Sequence, residues 1–213
     1  MINFYNIDCL EFMKDKPDKF YDLAIVDPPY GMKFGDYERG SMGIKVKERY
    51  TKTGKKKWDI NIPDKQYFNE LFRISENQII CGGNYFILPP TQGFIFWHKQ
   101  NPVPNFSDGE YLWTSFQVPA KCFDFRYYGN LSGNTSKEDP IHPTQKPVQL
   151  YRWLLQSYAY PHQKILDTHG GSMSSAIACD MEGYDLDICE IDKEYFDAGV
   201  KRFNEYKRQL KLF

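Results

Sequence analysis

Residues 27 to 30 read Asp-Pro-Pro-Tyr and directly follow the apolar run Leu23, Ala24, Ile25, Val26. Such a run fits a parallel strand covered on both faces. Two consecutive prolines have no backbone N–H to give to a neighbouring strand, so the chain must leave the sheet just after Asp27. In open α/β sheets that exit is where ligands bind. The residue types suit one chemistry. The exocyclic amine of a nucleobase is a poor nucleophile because its lone pair is delocalised into the ring. A carboxylate at Asp27 and the carbonyl of Pro28 can each accept one N–H, which favours a pyramidal nitrogen and aims its lone pair at an electrophile. The rings of Pro28 and Pro29 hold that carbonyl still, and Tyr30 offers a flat face on which a base taken out of a duplex can stack. A plain strand-terminating turn explains the prolines but leaves the acid and the aromatic without a reason.

The elements that must position this turn are legible as alternating strands and helices. Residues 2–7 read as a short strand ending at Asp8, followed by a helical segment with Leu10, Met13 and Phe20 inward. From Met32 to Trp58 the apolar periodicity disappears and Gly31, Gly35, Gly40, Gly43 and Gly54 alternate with charge, which predicts a long mobile loop. Tyr67, Phe68, Leu71, Phe72 and Ile74 suit an amphipathic helix, and Gln78 to Cys81 a buried strand ending at Gly82-Gly83. Residues 93–99 read as a fourth strand. The stretches EYLWTSF and AKCFDFRYY read as two more, paired like a hairpin at the sheet edge. Pro147 suits the first turn of a helix with Leu150, Leu154 and Leu155 inward. From Lys164 onward the pattern is strand, turn, helix, strand, helix, a βαβ unit. The chain is α/β throughout.

With 213 residues the chain fits a single domain, 1–213, carrying the basic loop at 32–58 and a small target-recognition segment at 99–140. A formal net charge of −1 excludes a surface coated in positive charge, so any polyanion must meet a local patch. Lys45, Lys47, Arg49, Lys52, Lys55, Lys56 and Lys57 supply one, directly after the catalytic turn; a lysine run alone is more often a solvated face, and its adjacency to Tyr30 favours contact with phosphates. The five cysteines, at 9, 81, 122, 179 and 189, form no CxxC pair and share no spacing with the histidines, so neither a zinc site nor a disulfide framework is expected. No apolar run approaches the roughly 20 residues needed to span a bilayer, and the expected setting is the cytoplasm.

Four stretches taken together, DPPYG, NQIICGGNYF, HPTQKPVQLYRWLL and ILDTHGGSMSSAIAC with CEID, resemble the amino-methyltransferases of DNA, whose DPPY motif is typical of adenine-N6 enzymes. The order of motifs, catalytic first and glycine-rich last, resembles the permuted group called beta. This resemblance implies a Rossmann-like methyltransferase fold: a mostly parallel sheet flanked by helices, with an antiparallel edge strand. It implies S-adenosyl-L-methionine as cofactor, DNA as partner, and Asp27, Pro28, Pro29 and Tyr30 as catalytic residues. By the same resemblance Asp167, Thr168, His169, Gly171 and Ser172 form the turn that meets the cofactor's methionine part, and Glu190 holds its ribose. Asp8 and Cys9 then lie at its adenine, and His142, Thr144 and Lys146 belong to a loop closing over the methionine end. Asp8 and Asp167 also admit a second reading as helix N-caps and Glu190 as a solvated strand end, while Lys146 reads equally as surface charge.

One departure from the family pattern stands out. Met173 occupies the place of the turn's second glycine and His169 that of an aromatic. A methionine resists positive φ at a cost of about 1 kcal/mol or more and can obstruct a ligand, so weakened cofactor binding is an expectation at this position. The leading reading is methyl transfer to the N6 amine of a flipped adenine. Cytosine-N4 transfer, which uses the same hydrogen-bond logic, stays open. So does a degenerate member that binds DNA without modifying it. No cysteine stands in a Pro-Cys context near the turn, which argues against the carbon-5 route through a thiolate adduct. So small a recognition segment is compatible with a short site or with a homodimer.

Overall fold

The computed structural model describes residues 1–31, 62–100, 107–127, 141–142 and 144–209. Its chain order is β1 (Ile2–Tyr5), α1 (Cys9–Lys14), β2 (Tyr21–Val26), α2 (Lys65–Ile74), β3 (Ser75–Cys81), a 3-10 turn (Gly83–Tyr85), β4 (Phe94–His98), β5 (Gly109–Thr114) and β6 (Lys121–Asp124). Then come α3 (Val148–Tyr158), β7 (Lys164–Asp167), α4 (Ser174–Glu182), β8 (Asp185–Cys189) and α5 (Lys193–Gln209). The strands form one sheet of eight in the order β1-β8-β7-β2-β3-β5-β4-β6.

The strand β2 shows why both faces must be covered. Its Leu23 and Ile25 pack on one side with Leu150, Leu154 and Leu155 of α3, Ala176 and Ile177 of α4 and Phe203 of α5. Its Ala24 and Val26 pack on the other with Phe12 and Met13 of α1 and Tyr67, Phe68, Leu71 and Ile74 of α2. Period-two alternation thus sends one apolar run into two cores, the pattern of an α/β sandwich. Met13, Leu71, Ile74, Leu150 and Leu154 are fully buried, as their spacing predicts, whereas Phe20 is 39% exposed and packs edge-on against Tyr21 instead of entering the core.

The sheet is parallel except at β5, which runs antiparallel to both β3 and β4. Two expectations are corrected here. The antiparallel strand is interior rather than at the edge, and β5 and β6 are not a hairpin. β4 lies between them and pairs with β6 in parallel. The chain turns back from β4 into β5, which fills the gap beside β3, and the short β6 has only the outer side of β4 to join. Periodicity marks a strand but carries no information about its neighbour.

The sheet reverses its winding between β7 and β2. From β7 the chain proceeds through α4 to β8 on one side, and from β2 through α2 to β3 on the other. The carboxyl ends of β7 and β2 therefore frame a crevice at the switch point, and Asp27 and the 168–173 turn lie at its two lips. No helix among the described residues is long and apolar enough to cross a membrane.

Candidate active site

A cleft opens at this switch point, enclosing about 910 Å³ of space that merges with solvent. One wall is Asp27 to Tyr30, leaving β2; the opposite wall is His169 to Ser172 and Ser174, between β7 and α4. Glu190 and Ile191, after β8, His142 and Thr144 to Lys146, before α3, and the rings of Tyr151 and Tyr195 complete it. Residues from six separate stretches of sequence converge here, three of them following the carboxyl ends of β2, β7 and β8 and the others on α3, on α5 and in the segment leading into α3.

Tyr30 is fixed from three sides. Its hydroxyl donates to Asp27 Oδ1 at 2.6 Å, its ring stacks on Tyr85 with centroids 4.7 Å apart, and Phe86 meets it edge-on at 6.0 Å. Gly82, at φ +66°, runs so close beneath this ring that a Cβ would penetrate it, which explains the glycine at the end of β3. Burial first, and the Asp27 charge second, push the Tyr30 phenol well up, so the group stays a neutral donor.

The Lys146 ammonium, from the segment entering α3, donates to Asp27 Oδ1 and Oδ2 at 2.9 and 2.8 Å and to the Tyr30 hydroxyl at 3.2 Å. It also lies 3.2 Å from Glu110 Oε2. Glu110, at the start of β5, is paired in turn with Lys99. Burial alone would raise the Glu110 carboxyl, yet the two neighbouring ammonium groups bring it down to about 2. Two anions and two cations alternate here, so Lys146, only 5% exposed, remains charged in the interior. Resemblance assigned Lys146 to the cofactor side of the site; the structure places it against Asp27. Glu110 was not singled out in the sequence at all. Its only sequence signal is an acid opening an apolar strand.

The glycine turn is built by hydrogen bonds. Asp167 Oδ1 accepts from the backbone N–H of His169 at 3.0 Å and Oδ2 from Ser175 Oγ at 2.5 Å, tying the end of β7 to the first turn of α4. Burial pushes the Asp167 carboxyl up to about 7 although both hydrogen bonds favour its ionised form. Thr168 Oγ1 meets the Tyr67 hydroxyl at 2.6 Å and His169 Nδ1 at 2.8 Å. Burial also lowers the His169 imidazole to about 4, so that ring is neutral. Glu190 Oε2 accepts from the Gly171 N–H and Oε1 from the Asp192 N–H, both at 2.8 Å, so this carboxylate clamps the turn to the end of β8. Arg202 of α5 donates to the Ser172 carbonyl at 2.9 Å from behind.

Met173 takes the conformation its position demands, φ +58°, at the start of α4, and its side chain is fully buried. It points under the turn, against Gly170 and Gly199, where a Cβ on either glycine would strike it. It does not line the cleft. The obstruction expected of a methionine is thus absent, because the two glycines make room for the side chain on the core side.

Of the residues singled out in the sequence, the cleft gathers Asp27, Pro28, Pro29, Tyr30, His142, Thr144, Lys146, His169, Gly171, Ser172 and Glu190. Asp8, Cys9, Asp167 and Thr168 stand outside its lining. Asp8 is the N-cap of α1, accepting from the N–H groups of Leu10 and Glu11 at 2.9 and 3.2 Å, and burial pushes the Cys9 thiol up to about 12. Lys45, Lys47, Arg49, Lys52, Lys55, Lys56 and Lys57 lie outside the described residues, as does all of the 32–58 loop.

Two observations test whether S-adenosyl-L-methionine fits this cleft. Gly171, at φ +48°, lines the cleft where a Cβ would just touch the His142 ring at 3.7 Å, and Glu190 lines it with its orientation fixed by two backbone donors. A close-approach turn facing an oriented carboxylate suits an amino-acid moiety joined to a ribose.

Comparison with known proteins agrees with this architecture. Residues 113–201 match the sequence profile of a family described as DNA methylase. The Type II methyltransferase M2.MboI of Moraxella bovis is 24% identical over 253 residues, covering 98% of this chain and 90% of that protein. Among solved structures, the M1.HpyAVI–SAM complex superposes with a TM-score of 0.53 at 21% identity, covering 95% of this chain and all of that one. PvuII DNA methyltransferase, cytosine-N4-specific, superposes with a TM-score of 0.64 at 14% identity, covering 95% of this chain and 86% of the other.

Proposed function

We infer that this chain belongs to the S-adenosyl-L-methionine-dependent DNA methyltransferases and that it methylates the N6 amine of an adenine swung out of the duplex. The observation that carries this reading is the Asp27–Tyr30 turn facing the 169–172 turn across one cleft, at the sheet's switch point. When bound, the cofactor supplies an electrophilic methyl group on a sulfonium. The protein's own contribution is to orient the nitrogen that attacks it.

The Asp27 carboxylate and the Pro28 carbonyl accept the two N–H groups of the amine and direct its lone pair toward the opposite wall. On that side a bound cofactor would supply the methyl group to the nitrogen. The nitrogen then loses one of its protons, for which Asp27 is the nearest acceptor. Tyr30, clamped by Tyr85 and Gly82, keeps its hydroxyl on Asp27 and so fixes that carboxylate at the cleft. Glu190, His142, Thr144 and the Gly171–Ser172 turn would hold the cofactor. Asp167 and Thr168 support that turn from behind, and we place the basic loop residues on DNA phosphates. Since the relatives compared are bacterial enzymes of this type, we place the reaction in the cytoplasm.

Cytosine-N4 transfer is the second reading, favoured by the superposition on an enzyme named as N4-specific. Incubation with labelled cofactor and mixed-sequence duplex DNA, followed by mass spectrometry of the nucleosides, tests both. N6-methyladenine is expected. N4-methylcytosine instead would transfer the reading to the second base, and no incorporated methyl group would defeat the enzymatic reading.

A further inference from the structure

We propose that Lys146 is a displaceable occupant of Asp27 and that Glu110 is the station to which its ammonium withdraws when the target amine arrives. This rests on the amine-methylating reading above and extends it to a residue, Glu110, outside every sequence motif of the site.

The Lys146 ammonium makes the contact the substrate needs. A nitrogen with N–H donors stands 2.8–2.9 Å from both oxygens of Asp27 and 5.3 Å from the Tyr30 ring centroid. Asp27 Oδ1 already accepts from Tyr30 as well. A carboxylate has about four acceptor positions; Tyr30 and Lys146 fill both on Oδ1 and one on Oδ2, so an incoming amine must share Oδ2 with an ammonium already held there at 2.8 Å. Leaving Asp27 for the protein interior would strand a buried cation, an arrangement that proteins avoid unless a second anion is at hand. Glu110 is that anion: its Oε2 is 3.2 Å from Lys146 Nζ, and its Oε1 is held by Lys99, which keeps the carboxylate in place after the transfer. The path is short enough that a change in side-chain torsions moves the charge from one carboxylate to the other without crossing water.

The two roles predict opposite outcomes for a pair of variants. In Glu110→Gln the second station is lost while the Lys146–Asp27 pair remains, so kcat for methyl transfer to mixed-sequence duplex DNA falls by about fivefold or more with the cofactor Kd unchanged. Removing the occupant as well, in Glu110→Gln with Lys146→Met, restores about fivefold or more of that loss, since Asp27 is then open. Thermal unfolding and cofactor titration on the same preparations establish that both variants fold. A smaller loss in the single variant, or a double variant no faster than the single one, overturns the proposal in favour of a static brace. If the parent protein transfers no methyl group to this DNA, the functional reading fails, and this one with it; if the parent is active and the rescue is absent, only this one fails.

Discussion

The fate of the site turns on how individual carboxylates are used. Asp27 is oriented by Tyr30 and Lys146 and lines the cleft, while Asp167 is turned inward to tie β7 to α4. Asp27→Ala removes the oriented acceptor; we expect kcat to drop by about 10²–10³-fold, with cofactor affinity little changed, in a labelled-cofactor assay. A drop in affinity with kcat preserved would assign Asp27 to binding instead. Asp167 has a different signature. Its folded pKa is raised to about 7 by burial, above the value of an unfolded aspartate, so the folded state holds a proton that the unfolded state has released. The stability associated with that proton is complete below about pH 4 and is lost as pH rises toward 7. Asp167→Asn has no such proton to gain or lose. The difference in Tm between variant and parent should therefore shift in the variant's favour across that window and level off above it. A difference that does not change with pH would refute the buried-acid account.

At the level of elements, Met173 shows what a single position trades. Its left-handed backbone costs about 1 kcal/mol or more, whereas its buried side chain, packed against Gly170 and Gly199, contributes on the scale of a Met→Ala deletion, about 2–5 kcal/mol. Met173→Gly should therefore destabilise the protein by about 1–4 kcal/mol in denaturant unfolding and leave cofactor affinity unchanged. A gain in affinity would mean the side chain obstructs the cleft after all. The same residue marks the limit of what sequence discloses. The departure from the glycine pattern is legible at position 173, and so is the neighbouring Gly170, but the part of Gly199 is not, because it lies on α5 and only folding brings it beneath the turn. In the same way, DPPY and the glycine turn could be read as two strand exits, and their meeting across one crevice follows from winding order. Glu110 could not be read, since its role depends on β5 inserting beside β3, a pairing that neither periodicity nor composition encodes. Asp8 and Asp167 carried two readings each. The structure places Asp8 at the start of α1, as a cap, and puts Asp167 in a related supporting role.

For the molecule as a whole, the governing fact is a net charge of −1 on a chain for which we propose a polyanionic substrate. Uniform attraction is excluded, so affinity for DNA has to come from a concentrated source, and the seven basic residues between Lys45 and Lys57 are the densest in the sequence. Each phosphate neutralised by a lysine releases condensed counterions and adds about 0.9 to the slope of log K against log salt on duplex DNA. Replacing Lys55, Lys56 and Lys57 with Gln should then weaken binding by a similar factor on duplexes of unrelated sequence, and make the slope shallower by about 2–3 in anisotropy titrations across KCl concentrations. Contacts to base edges would behave differently, weakening some sequences more than others at nearly constant slope. An unchanged slope would take the triple-lysine run off the phosphate backbone and leave steering of the duplex to residues nearer the cleft.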